Sequence, residues 1–279
     1  MGETFLISIH STGRADLIRE GKSVLRYIPI DLQDSTIVFC RGDEYADYKQ
    51  AVAAQGYKVT VQYIPGILTT DKNFTVINTR QYVLDRAKRI QADYLLMIDD
   101  DLKLAVRSFE TGHVVYTPFE QEDFEEMFNK LLHVCGMEYP LVGITARQFS
   151  QDKPSFDIDT RIIQLVCLHM PTLIEEGIDF KEAMDAGLVY MSDYYLCLKL
   201  LYLGYHNLCL NKYTRDDYTN WKGGCSTHRT PAEQSKSAMI LTKMFPEVVM
   251  PFVKTSTGWT EKRINVRIAW KKAFGRGLI

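Results

Sequence analysis

Apolar positions along the chain follow two rhythms, and their alternation lays out an α/β domain. Residues 5–10, Phe-Leu-Ile-Ser-Ile-His, read as a strand and are followed by the polar turn Ser11-Thr12-Gly13-Arg14 and a helix over 16–27. Residues 36–40 form a second strand, Arg41-Gly42-Asp43-Glu44 follows, and a helix over 45–55 stops at Gly56. A third strand covers 58–64. After Pro65-Gly66 and a polar stretch, apolar residues recur about every 3.6 positions over 76–91, which predicts a helix with Arg80 in its first turns. Residues 94–98, Tyr-Leu-Leu-Met-Ile, then run without a polar break into Asp99, Asp100 and Asp101. Three strand–helix units followed by a fourth strand predict an open, mostly parallel sheet with right-handed crossovers.

The second half is less regular. Residues 105–121 break the periodicity and read as a loop, 122–135 as a helix, and 141–145 as a strand leading to Arg147 and Gln148. Residues 150–160 are polar and are expected to be mobile, 162–169 form a strand, and 180–187 are helical or irregular. Ser192 is the expected N-cap of a leucine-rich helix that ends at Gly204, with Asp193 in its first turn. A strand over 205–210 leads into a polar loop over 211–220 and then Trp221-Lys222-Gly223-Gly224-Cys225-Ser226-Thr227-His228-Arg229-Thr230. A helix over 231–245 opens the C-terminal section. The expected division is one α/β domain over 1–230 and a helical, basic extension over 231–279 packed on it.

Composition narrows the class. The 279 residues are 46% apolar and 24% charged, enough for one large core or two smaller ones. No apolar run reaches the roughly 18–20 residues that span a bilayer, and the first residues lack the layout of a secretory signal, so a soluble, cytoplasmic protein is expected. Six cysteines, with no Cys-x-x-Cys pair, fit buried reduced thiols better than disulfides or zinc. The net charge of −2 hides an asymmetry: residues 254–279 carry seven basic residues against Glu261 alone, a net +6, which leaves −8 on the rest. That basic stretch, with Trp259, Trp270 and Phe274, is a candidate contact for a nucleic-acid backbone.

The candidate chemistry starts at the acidic strand end. Buried parallel strands deliver ligands at their carboxyl ends, and three successive carboxylates there repel one another unless solvent or a cation compensates them. Mg²⁺ or Mn²⁺ suits such hard oxygen donors and leaves positions for substrate phosphates. Ser11, Thr12, Arg14 and Arg41, in loops after two strands, offer hydroxyl and guanidinium donors to a nucleotide, and Arg80 is within reach of a diphosphate. No Gly-x-x-x-x-Gly-Lys-Ser/Thr or Gly-x-Gly-x-x-Gly occurs. His228 sits in a polar glycine-rich loop rather than on an apolar face and is a candidate imidazole ligand.

Each feature alone has a plain structural explanation: a solvated acidic turn, a surface ion pair, a helix-stabilising aspartate. Their order along one chain does not. A strand ending in Asp-x-Asp, an acidic residue opening a leucine-rich helix that ends in Gly204-Tyr205, and a late histidine resemble the GT-A class of nucleotide-sugar glycosyltransferases over roughly residues 4–230. The segment from Ser192 to Tyr205 departs from that class in having Ser192 where many members have an acidic residue. Within the class, the compact length and the Gly-Gly-Cys-Ser-Thr-His segment look most like the phage and eukaryotic (TET/JBP-associated) glycosyltransferases that act with hydroxylated DNA bases.

The resemblance implies a GT-A-like, Rossmann-type fold and a metal-dependent transfer of a sugar from a nucleotide diphosphate sugar, such as a UDP-sugar, to a hydroxyl. Asp101 and His228 would hold Mn²⁺ or Mg²⁺. Asp99, on the same side of an extended chain as Asp101, would address the ribose or sugar, with Asp100 beside it. Arg80 and Arg229 would stabilise the diphosphate, and Asp193 would be the base if the reaction inverts the anomeric centre. A hydroxymethylated pyrimidine in DNA is the expected acceptor. A protein or polysaccharide hydroxyl, a metal-dependent nucleotidyltransferase and a non-catalytic nucleic-acid-binding module are the alternatives.

Overall fold

The computed structural model describes residues 3–66, 75–218, 223–224, 229–256 and 259–278. Strand β1 (Phe5–His10) leads through the short helix α1 (Ala15–Arg19) and α2 (Ile30–Gln33) to β2 (Thr36–Arg41). Helix α3 (Tyr45–Ala54), β3 (Thr60–Ile64), α4 (Val76–Arg89) and β4 (Tyr94–Asp99) complete the first half. The second half runs β5 (Leu102–Glu110), β6 (His113–Pro118), α5 (Gln121–Val134), β7 (Leu141–Ala146), β8 (Phe156–Ile158) and β9 (Leu165–His169). Then come α6 (Met170–Glu175), α7 (Lys181–Asp185), α8 (Ser192–Tyr202) and β10 (Asn207–Asp217). Helix α9 (Pro231–Met244), the hairpin β11 (Val249–Ser256) and β12 (Trp259–Ile268), and α10 (Trp270–Ala273) close the chain.

One sheet runs in the order β3-β2-β1-β4-β9-β7-β10-β5-β6, with β8 paired to β10. Seven of these ten strands point the same way; β5, β8 and β9 oppose them. The open, mostly parallel α/β sheet flanked by helices is therefore the architecture found. Alternation within the strands feeds two cores. Ile7, Ile9, Leu96 and Ile98 meet α1, α3 and α5 on one face, while Leu6, Leu95 and Met97 meet α4, α6 and α8 on the other. Each such aliphatic side chain, fully buried, contributes about 1.5–3 kcal/mol.

Several expected elements differ. The helix expected over 16–27 stops at Arg19 and gives way to a 3-10 turn over Val24–Tyr27, where Ser23 caps Leu25. The expected loop over 105–121 is instead the β5–β6 hairpin, turning at Thr111 and Gly112, both at positive φ (46° and 82°). The segment over 150–160 contains β8, and the buried Arg107 guanidinium binds the carbonyls of Ser150, Lys153 and Pro154. The polar stretch after Leu210 continues β10 to Asp217, because its polar side chains find partners: Asn211 Nδ2 donates to Pro154 O at 3.1 Å.

Beyond α9, α10 and a 3-10 turn over Arg276–Leu278, the described part of the C-terminal section is not helical. Its basic residues Lys254, Lys262, Arg263 and Arg267 lie on the β11–β12 hairpin, where apolar and polar residues alternate with the strand period. Within the section, Ile264 N donates to Ser235 Oγ of α9 (2.9 Å), and the section is tied to the body by Gly275 N to Leu201 O (2.8 Å) and by Phe274 stacked on His206 with ring centroids 3.9 Å apart. The five described cysteines are buried free thiols, and no described helix is long and apolar enough to cross a membrane.

Candidate active site

Strand β4 ends at Asp99, in register with His10 of β1, and Asp100 and Asp101 form the turn into β5. This turn cancels the alternation that would have put Asp99 and Asp101 on one side. Asp100 and Asp101 instead share Arg14, whose Nη1 lies 2.6 Å from Asp100 Oδ1 and 2.9 Å from Asp101 Oδ2. Asp99 turns to Arg80, with Nη2 at 3.5 Å.

A hydrogen-bond chain fixes the Arg14 side. The Arg14 backbone N–H donates to Tyr48 Oη at 3.0 Å, and Ser11 Oγ lies 2.6 Å from that same oxygen and donates its proton to Asp100. The Ser11 proton being committed, the Tyr48 hydroxyl donates to Ser11. Ser11, expected to offer its hydroxyl to a nucleotide, is thus spent on holding Asp100. Above Arg14 sit Gly223 and Gly224. Gly223 has φ +107°, and a Cβ there would stand 2.5 Å from Gly13 O and 2.7 Å from Arg14 Cγ, so only glycine fits this close approach. Gly224 N donates to Thr12 O at 2.8 Å.

Arg80 organises the other side. It is 4% exposed; its Nη1 donates to Ser192 Oγ at 2.7 Å and pairs with Asp193 Oδ1. Ser192 therefore does not cap α8 as expected. The N-cap is Met191, in the left-handed region at φ +69°, and the Ser192 hydroxyl is turned to Arg80. Arg80, expected to face a diphosphate, and Asp193, expected to face an acceptor, are ion-paired with each other.

These groups line one cleft of about 730 Å³ at the carboxyl ends of the parallel strands. Among the residues singled out in the sequence, Ser11, Thr12, Arg14, Arg41, Arg80, Asp99, Asp100, Asp101, Asp193 and Arg229 all line it. Arg229 also stacks over the Tyr190 ring at 4.8 Å. His228, Cys225, Ser226 and Thr227 lie outside the described residues, so the pairing of His228 with Asp101 does too. The sequence reading missed Gln164, Arg161, Arg215, Arg263 and Asn265, which line the same cleft. Arg215 lies in a stretch with the composition of a loop, and Arg263 and Asn265 in the basic C-terminal section.

Electrostatics mark the cleft as short of positive charge at the acidic turn. Burial, with Asp193, Asp101 and Asp100 adding to it and Arg80 opposing, pushes the Asp99 carboxyl up to about 7. Burial and the neighbouring Asp100, against Arg14, push Asp101 up to about 6. Arg14 and Arg80 balance two of the four carboxylates Asp99, Asp100, Asp101 and Asp193. Hard oxygen donors with charge left over match a divalent cation in chemistry. No group of three or more His, Cys, Asp or Glu side chains among the described residues is arranged to hold one by itself.

No protein-family model and no curated protein matches the chain. Solved structures resemble it at low sequence identity. A mycobacterial protein, 12% identical, aligns over 96% of this chain and 84% of its own with a TM-score of 0.50. Glucosyl-3-phosphoglycerate synthase from Mycobacterium tuberculosis, solved with phosphoglyceric acid, is 13% identical over 97% of this chain and 91% of its own, with a TM-score of 0.48. A mannose-1-phosphate geranyltransferase from Thermus thermophilus is 14% identical over 78% and 77%, with a TM-score of 0.46. At such identities, the likeness to the mycobacterial protein is one of fold.

Proposed function

We propose that the chain is a metal-dependent glycosyltransferase that moves a sugar from a nucleotide diphosphate sugar to a hydroxyl, with a hydroxymethylated pyrimidine in DNA as the acceptor. The observation that carries the reading is the convergence of Arg14, Arg41, Arg80, Asp99–Asp101 and Asp193 on one cleft at the sheet's carboxyl edge. Thr12, in the loop after β1, and Arg41, the last residue of β2, bind the nucleotide, where a donor meets backbone and guanidinium groups. Asp99 accepts hydrogen bonds from the ribose or sugar hydroxyls. Arg80 and Arg229 stabilise the negative charge that develops on the departing diphosphate. Asp101, with His228, would hold Mn²⁺ or Mg²⁺, which supplies further positive charge to the same phosphates when bound.

Asp193 takes the proton from the acceptor hydroxyl. The Arg80 pair holds one of its carboxylate oxygens in place at the cleft wall. Ser192 braces Arg80, which is work for a neutral hydroxyl where many GT-A members carry an acid.

The test is incubation with a panel of nucleotide sugars, Mn²⁺, and either hydroxymethylcytosine DNA or unmodified DNA, read by mass spectrometry. A sugar-sized mass gain on the hydroxymethylated DNA alone is the expected result. Sugar-nucleotide hydrolysis with no gain on either DNA would move the acceptor to a protein or polysaccharide hydroxyl. Turnover of a nucleoside triphosphate without use of any nucleotide sugar would make the chain a nucleotidyltransferase.

A further inference from the structure

A second cavity of about 330 Å³ opens beside the first, lined by Thr145, Phe149, Lys153, Arg161, Tyr194, Arg215 and Trp270 among others. The two share Ala146, Arg161, Tyr194 and Arg215 as a common wall, and Asp193 adjoins that wall in sequence and in the cleft. A hydroxyl carried by an occupant of the side cavity is thereby brought to the Asp193 side.

The cations of this cavity are not equal. Lys153 is neutralised by Asp157. Arg161 makes no ion pair among the described residues; its Nη1 donates to Tyr194 Oη at 3.3 Å, and its guanidinium lies over Phe149 at 4.9 Å. Arg215 is 5% exposed, gives Nη1 to Gln164, stands 4.0 Å from Asp217, and has a buried Nε with no hydrogen-bond partner among the described residues. A buried, under-bonded guanidinium beside a second one without a carboxylate is costly unless an anion arrives. Asp157, held by Lys153, and the hydroxyls of Thr145 and Thr160 line part of the wall, and its apolar part is Val266 and Ile268 of β12 with Tyr194 and Trp270 meeting edge-on at 5.8 Å.

We infer that this side cavity binds one nucleotide unit of the acceptor, its phosphate between Arg161 and Arg215 and its ring against Phe149, Tyr194 and Trp270. The assignment rests on the glycosyl-transfer reading for the direction in which the hydroxyl points. Guanidinium pairs suit phosphate oxygens, and aromatic faces stack on any base. A cavity of this size is at the small end for ligand sites and admits one nucleotide rather than a duplex, so a base within duplex DNA would be extruded to enter. The C-terminal hairpin then acts as a wall of the acceptor site.

Tryptophan fluorescence and calorimetric titration test this with 5-hydroxymethyl-dCMP, the phosphate-free nucleoside, a hydroxymethylated single-stranded trinucleotide and a short hydroxymethylated duplex. The nucleotide is expected to bind about 10-fold tighter than the nucleoside, the value of one charge-assisted contact. Arg161→Gln should erase that preference while keeping the circular dichroism spectrum and melting profile, since no ion pair among the described residues is lost. Trp270→Phe should keep the preference and remove the fluorescence response. Tighter binding of the trinucleotide or duplex identifies a strand as the source, and equal binding a free nucleotide; both support the assignment. Equal affinity for nucleoside and nucleotide, or an Arg161→Gln variant that retains the preference, overturns it. Nucleotide-sugar hydrolysis is followed in parallel: hydrolysis without a phosphate preference removes the side cavity's role alone. A phosphate preference without binding or turnover of any nucleotide sugar removes the glycosyl-transfer reading alone.

Discussion

The two walls of the cleft are charged in opposite styles. On the wall built by β1, β4 and α4, the central charges are committed: Arg14 holds Asp100 and Asp101, Arg80 holds Asp99 and Asp193, and Ser11, Tyr48 and Ser192 brace them. On the wall built by β7, β10 and the C-terminal hairpin, Arg161 makes no ion pair among the described residues, and Arg215 none closer than 4.0 Å, to Asp217, with Asp99 and Asp193 attracting it from farther off. The first wall is preorganised and resists change, as a site that must hold developing charge in fixed geometry requires. The second keeps its positive charge for something that comes from outside.

The contrast can be broken at the committed wall. Asp193→Asn is expected to leave donor affinity in place and slow transfer by about 10²–10⁴-fold, the usual contribution of a general base, as measured by single-turnover kinetics. Arg80→Ala leaves the part-buried Asp99 and Asp193 without their shared cation and should cost about 2–4 kcal/mol of stability in chemical denaturation, somewhat less than for a fully buried pair. A loss of under about 1 kcal/mol, the scale of an exposed pair, would show that the committed wall is not wired as described. Gly223→Ala sets a methyl against Gly13 O in a left-handed backbone and should cost about 1–3 kcal/mol, with weakened donor binding. Outside both walls, Arg276→Ala removes a pair with Glu247 that is about half exposed on both sides and should change stability by no more than about 1 kcal/mol.

The committed wall was the more legible in the sequence. Its strands alternate or run apolar into their ligand loops, and the expected β1, β2, α4 and β4 lie within a residue or two of those found. What the sequence concealed there was partnership: the step from strand to turn at Asp100 exchanges which aspartate faces which arginine, and Arg80 meets Asp193 across 113 residues of chain. The other wall was harder to read for two physical reasons. Polar residues of β10 such as Asn211 and Arg215 are buried with partners from distant loops, so a central strand has the composition of a loop. Between β7 and β9 there is no α-helix to carry a crossover, and the chain therefore returns antiparallel, inserting β9 between β4 and β7.

That insertion sets a timetable for biosynthesis. Strand β4 finds β1 already made on one side, but its other partner begins at Leu165, 66 residues after Asp99. At about 5–20 residues per second, the ribosome takes roughly 3–13 s to supply it. For that interval, Tyr94–Asp99 is an unpaired apolar edge, the geometry that recruits foreign strands. A nascent chain stalled or cut before residue 165 is thus a template for aggregation, and the strand that presents the aspartates is the one that most needs shelter while the protein is being made.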